Sequence, residues 1–307
     1  MRFEAVKAVY ERGLKDESLY FITSDLGHTK TEEFRKDFGE RYLNAGMSEQ
    51  NILGVAAGLA LSGMKAVVYS IVPFVTLRPF EQIKIDVCNQ NADVTIIGIG
   101  GGFAYESAGP THFSIEEIAA LRALPNMKVV CPANPMETRQ LTKQILEIGG
   151  PTYMRIGRGK EPNPEKEYEV EFGKAKVLRD GDDITIISSG TIVTEALRAA
   201  EMLNEKGISA EVLNMHTIKP LDIEAISGRI GNRKGIFTLE EHSVIGGLGS
   251  AVAEVLSESP VGKVLFKRFG VEDKWPETVG SQAYLRDIAG ISAEKVVENI
   301  SQILKQK

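Results

Sequence analysis

The sequence predicts two α/β domains, each built on a mainly parallel sheet. Short runs rich in Val, Ile and Tyr alternate with helix-length segments, a charged stretch with two prolines interrupts them after residue 158, and the alternation then resumes. A chain of 307 residues, 43% hydrophobic and 25% charged, is long for one domain and can bury a sizeable core.

The opening "MRFEAVKAVYERG" alternates charged and apolar residues at helical spacing and reads as a helix. Five strand-like runs follow, "LYFITS", "KAVVYSI", "DVTIIG", "MKVVCP" and "PTYMRI", and with the helical segments between them they fill a first domain, residues 1–158. The stretch "GKEPNPEKEYEVEF" is charged and weakly periodic, so it is read as an interdomain linker spanning 159–178. A second series, residues 179–307, runs through "DITIISSG", "SAEVLNM", "KGIFTLEE" and "KVLFKRFG". It closes on "SAEKVVENISQILKQK", an amphipathic helix with Val296, Val297, Ile300, Ile303 and Leu304 on one stripe.

Composition removes several classes of function. The net charge of -6 leaves no basic stripe, so nucleic acid is not an expected partner. Cys88 and Cys131 lie in apolar surroundings without CxxC or Cys/His spacing, which reads as two reduced core thiols in a cytoplasmic protein and no zinc site. The longest apolar runs fall far short of a membrane span, and the N-terminus has no continuous apolar run of a secretory leader.

In open α/β sheets ligands bind beyond the carboxyl ends of the strands, which directs attention to "SDLGHT", "SIVPF", "GGGFAYESAGPTHFS" and "GRGK". In "LNAGMSEQNILGVAAGLALSG", Ser48 is placed to cap a helix whose first turn holds Glu49, where the helix dipole favours an acid. Gly54, Ala57 and Gly58 would let another backbone approach that helix closely and leave Glu49 partly desolvated. Phe74 follows Pro73 in a loop, either as a core residue or as a face for a heteroaromatic ring, and Phe80 opens a helical pattern. The glycine run at 100–102 is no dinucleotide fingerprint, because Phe103 stands where a third glycine would fall. Ser114 and Glu117 make an S-x-x-E capping box, which predicts a helix starting at once, with His112 just ahead of it beside a mobile glycine run. Arg158, between Gly157 and Gly159, is either an anion-binding fork or a surface residue opening the linker. Asp25 is either a turn cap or a cleft-facing group.

Together "SDLG", "GERYLNAGMSEQNILGVAAGLA", "AGPTHFSIEEIAALRALPNMKVVCPANPMET", "RIGRG" and "LEEHSVIGGLGSAVAEVL", in this order, resemble the C-terminal half of the transketolase family of thiamine diphosphate enzymes. The resemblance makes the two domains a pyrimidine-binding domain and a transketolase C-terminal domain. It implies that Glu49 hydrogen-bonds the aminopyrimidine of the cofactor and drives it to the imino tautomer that takes the thiazolium C2 proton. It further implies that Phe74, or its neighbour Val75, stacks on the pyrimidine and that Asp25 lies at the cofactor. His112 would contact substrate oxygens, with Arg158, Arg2 and His28 as further substrate contacts, the two arginines on phosphate.

Two departures bear on the substrate. Ala108 stands where the family carries an aspartate before "GPTH", and Gly100 where it carries a histidine, which is expected to open the pocket to a sugar other than the ordinary pentose phosphates. The family's diphosphate and magnesium motif is missing: "DGDD" at 180–183 precedes a strand and reads as a turn. The resemblance therefore implies a split enzyme, whose N-terminal partner subunit carries the diphosphate-binding domain and the Mg²⁺ ligands, in an α2β2 heterotetramer with sites between subunits. Rival readings are a deoxyxylulose-phosphate-synthase-like subunit, a 2-oxo acid dehydrogenase β-like subunit, and a non-catalytic regulatory subunit.

Overall fold

The computed structural model describes residues 1–26, 31–159, 161–260 and 264–306. Two α/β units are present, each on a mainly parallel sheet. The first sheet has seven strands in the order β10 (Thr217–Lys219), β5 (Lys128–Val130), β6 (Thr152–Ile156), β4 (Val94–Ile99), β3 (Lys65–Ile71), β1 (Leu19–Thr23) and β2 (Tyr42–Asn44). All pairings in it are parallel except β10 with β5. The second has five strands in the order β12 (Phe266–Val271), β11 (Gly235–Ser243), β8 (Ile184–Ser188), β9 (Ala210–Asn214) and β7 (Lys176–Arg179), parallel except for the edge pair β7 and β9.

The first half contributes helices α1 (Arg2–Gly13), α2 (Thr31–Phe38), α3 (Glu49–Leu61), α4 (Val72–Val75), α5 (Phe80–Gln82), α6 (Glu117–Arg122) and α7 (Pro135–Ile148). The second contributes α8 (Val193–Glu205), α9 (Ile223–Ser227), α10 (Leu248–Glu258), α11 (Gln282–Ile288) and α12 (Ala293–Lys305). Helices cover both faces of the first sheet, which is why β4 is apolar or small on both sides and both β4 and β6 are buried along their length. On one face α1 and α7 pack over Phe21, Tyr69 and Met154. On the other, Ile52, Leu53 and Val68 join a core that continues into the second unit through Ile187, Leu213, Ile236 and Leu248. In α12 the residues Val296, Val297 and Ile300 are buried against α8, with Ile303 and Leu304 partly buried beside them.

Strand β10 is a finding the sequence pattern did not announce. Three residues of the second half cross over to complete the edge of the first sheet, with Thr217 paired to Val130, so the units share backbone hydrogen bonds as well as a core. No helix among the described residues is long and apolar enough to cross a membrane. Cys88 and Cys131 are free thiols, both buried.

Candidate active site

Glu49 is the first residue of α3 and only 3% exposed. Its carboxylate accepts a hydrogen bond from Ser70 Oγ at the end of β3 (3.3 Å) and faces the Arg78 guanidinium (3.1 Å), which is half in solvent. Ser48 occupies the N-cap position but does not cap: its hydroxyl donates to the Ala45 carbonyl (2.8 Å), turning away from the helix amides. The uncapped N-terminus of α3 is thus left to Glu49, whose charge the N-terminal dipole favours. Within this chain the small-residue face of α3 is only partly packed. Ala57 is buried, whereas, beyond the helix's own backbone, Gly54 and Gly58 have nothing among the described residues within 4 Å of where a side chain would begin.

The turn after β3 decides which neighbour is available beside Glu49. Pro73, the second residue of the single-turn helix α4, fixes its first turn, which sends Val75 wholly into the core and leaves Phe74 at its rim. The Phe74 ring meets His112 edge-on at 5.0 Å and carries the Arg78 guanidinium over its face at 4.4 Å. His112 in turn lies 5.4 Å from the Tyr105 ring, over which Arg158 places its guanidinium at 4.8 Å. Glu49, Arg78, Phe74, His112, Tyr105 and Arg158 therefore form one continuous line at the carboxyl ends of β3, β4 and β6. Thr111 Oγ1 sits 2.9 Å from His112 Nδ1, and Nε2 has no hydrogen-bond partner among the described residues, so it is the ring nitrogen that can meet another oxygen.

Burial raises the Tyr105 phenol above its usual range, and the positive charges of Arg158 and then Arg2 oppose the shift. Arg158 does so in direct contact with the ring, whereas Arg2 keeps a buried Nε with no hydrogen-bond partner among the described residues. Asp25 does not join this line. It sits at positive φ (53°) beyond β1, receives Asn44 Nδ2 on Oδ1 (3.3 Å) and donates its backbone N–H to Asn44 Oδ1 (3.0 Å). His28 lies outside the described residues.

Two expectations about the loop before His112 are corrected. The glycine run is a packed platform: a Cβ on Gly100 would overlap the Tyr105 ring, one on Gly101 the Arg155 side chain, and one on Gly102 the Glu241 carboxyl group. Gly100 therefore does not open the pocket, because Tyr105 fills the room that a side chain there would take. Ser114 forms no capping box. Its backbone pairs with Gly102 in an antiparallel bridge (3.0 Å each way), and α6 starts only at Glu117 without a side-chain cap. Ala108 ends an exposed 3-10 turn over 106–108. Sequence reasoning missed Arg78 and Tyr105. Arg78 stands four residues after Phe74, a spacing that signals contact in any helical turn.

The chain matches the family model for the transketolase pyrimidine binding domain over residues 4–163 and that for the transketolase C-terminal domain over residues 173–296. The chain belongs to the transketolase family. It is 41% identical over 254 residues to a subunit of the apulose-4-phosphate transketolase of Phocaeicola vulgatus, covering 82% of this chain and 81% of that one. It is 36% identical over 309 residues to the 6-deoxy-6-sulfo-D-fructose transketolase subunit SqwH of Clostridium sp. strain MSTE9, covering 100% and 95%. Among solved structures it is similar to a split gene transketolase described as an inactive beta4 tetramer, with a TM-score of 0.87, 37% identity and coverage of 99% and 97%.

In this transketolase-family chain "DGDD" forms the connection between β7 and β8. Asp183 accepts the Ser209 N–H (2.8 Å) and pairs with Lys234 (2.5 Å), and Gly181 lies against the Ala210–Glu211 backbone.

Proposed function

We propose that this chain is the C-terminal subunit of a split transketolase-type enzyme that moves a two-carbon ketol unit from a ketose phosphate to an aldose phosphate with thiamine diphosphate. A separate subunit with the diphosphate-binding domain would supply the Mg²⁺ ligands, in an α2β2 assembly in the cytoplasm with sites between chains. The observation that carries this reading is the buried Glu49 carboxylate paired with Arg78, the same guanidinium that lies over the Phe74 ring. An aminopyrimidine needs an acid or carboxylate at a ring nitrogen and a flat apolar surface beside it, and Glu49 with Phe74 fits both requirements. The names of the relatives, each of them one subunit of a transketolase, and the inactive β-only tetramer of the similar structure support the need for a partner.

Thiamine diphosphate, when bound, supplies the electron sink that allows a ketose carbon–carbon bond to break. The protein's own contribution is to hold and move protons and to orient the sugar. Glu49 keeps a proton-exchanging carboxylate rigid through Ser70 and the start of α3. His112 offers Nε2 to a sugar oxygen, Arg158 lies over Tyr105 as a charge for an anionic end of the substrate, and Arg2 adds a second positive charge whose buried Nε has no hydrogen-bond partner among the described residues. Tyr105 on Gly100, with Ala108 ending the turn over 106–108, gives the sugar side a phenol in place of a second imidazole and a methyl group just before the Gly109–His112 run. That composition, with the substrates in the relatives' names, supports a sugar other than the common pentose phosphates. The test is a donor screen on the reconstituted complex. Turnover of a branched or sulfonated ketose at rates well above xylulose 5-phosphate supports the reading, and equal or faster turnover of xylulose 5-phosphate with ribose 5-phosphate removes it.

A further inference from the structure

We infer that Glu241, in the second unit, is a positioning residue that holds the loop carrying Tyr105 and His112 in its working place. Among the described residues the second unit adds no side chain to the line from Glu49 to Arg158, yet the loop at 103–114 is fastened to it at both ends.

The fastening is visible atom by atom. At the incoming end the Phe103 N–H donates to Glu241 Oε1 (2.9 Å), and Phe103 is fully buried, so without that oxygen the amide would be an orphan away from water. At the outgoing end the Ser114 carbonyl accepts from Arg155 Nη2 (2.9 Å), which also donates to the Glu241 carbonyl (2.8 Å). Between the ends, Gly102 and Ser114 close the neck as a two-residue bridge. Phe103 and Phe113 stack edge-to-face at 5.1 Å, and both belong to the second unit's core with Ile186 and Leu239. In sequence the loop lies in the first unit, but its two ends, Phe103 and Phe113, are packed in the core of the second.

Glu241 is itself held from the far side. It accepts Gln282 Nε2 on both oxygens (3.0 and 3.1 Å) and Arg286 Nε and Nη2 on Oε2 (3.1 and 2.6 Å), both donors coming from α11. A buried ion pair is a weak source of net stability, so a placement this fully satisfied argues for geometry as its use. Gly102 is the matching concession on the loop, since it has no Cβ to strike the Glu241 carboxyl and sits at φ +63°.

The test compares Glu241→Gln and Gly102→Ala with the wild-type chain, disturbing the same contact from its two sides. Amide exchange in residues 103–113 is expected to rise by about tenfold or more in both variants, with α3 unchanged, because Gln removes the charge and puts an amide group among the donors Phe103 N–H, Gln282 and Arg286, and the new methyl on residue 102 pushes the Glu241 carboxyl off the Phe103 amide. In the reconstituted complex, which rests on the function proposed above, KM for the sugar is expected to rise several-fold while half-saturation by thiamine diphosphate stays within about twofold. Unchanged exchange in 103–113 in both variants, or a rise of equal size in α3 and in 103–113, overturns the inference. A wild-type complex without ketol transfer would count against the proposed function, and the exchange comparison would still decide the role of Glu241.

Discussion

Replacing Glu49 by Gln probes the two roles of this side chain separately. The substitution keeps the volume and an oxygen for Ser70, but removes the charge facing Arg78 at 3.1 Å. Arg78 is 49% exposed, so its guanidinium is rehydrated when the partner goes, and the loss in folding stability should be about 1–2 kcal/mol, well below the cost of breaking a fully buried pair. Loss of the proton-exchanging group should lower turnover by roughly 10²–10⁴, far more than so small a change in stability can account for. Urea unfolding of the chain and steady-state turnover of the complex with saturating thiamine diphosphate and Mg²⁺ measure the two effects. Turnover within about threefold of wild type would refute the catalytic argument, because general acid–base contributions start near a hundredfold. It would leave Glu49 as a helix-terminal acid and favour a regulatory subunit.

Gly100→Ala should destabilise the chain by about 1–3 kcal/mol and raise KM for the sugar, since the new methyl overlaps the Tyr105 ring at φ +85°. Tyr105→Ala should relieve that overlap, so the double variant should be less destabilised than the sum, as read from urea midpoints. Burial lifts Glu240 to about 7, so the folded chain holds a proton that the unfolded chain releases near 4.5; the stability from this group is full below 4.5 and lost as pH rises through 7. His242 and His216 are pushed down by burial to about 3 and about 4, so their contribution is full above 6.5 and lost as pH falls through those values. Glu240→Gln should therefore improve relative to wild type between pH 5 and pH 8 in thermal midpoint, and a constant difference would contradict the assignment. Burial raises the Cys88 thiol to about 11 and the Cys131 thiol to about 12, so iodoacetamide at pH 8 should label neither until the chain unfolds.

The strand rhythm was legible because buried parallel strands are short, apolar runs whose composition needs no distant partner to be recognised. Strand β10 was not, since a three-residue edge strand has no period of its own and exists through its pairing with Val129 and Val130. At the site, Glu49 and His112 could be found from local motifs. Arg78 emerged only when the turn through Pro73 laid its side chain back over Phe74. The glycine run misled for the opposite reason. In isolation three glycines mean freedom, and here each is small because Tyr105, Arg155 or Glu241, the last more than a hundred residues away, already occupies the space.

The most direct measurement is ketol transfer by this chain mixed with a separate diphosphate-domain subunit, against each chain alone, with thiamine diphosphate and Mg²⁺ and a panel of ketose donors. Turnover confined to the mixture, saturating at equal amounts of the two chains, is the predicted result. Turnover by this chain alone, or by the partner alone at the same rate as the mixture, would contradict a site assembled between them.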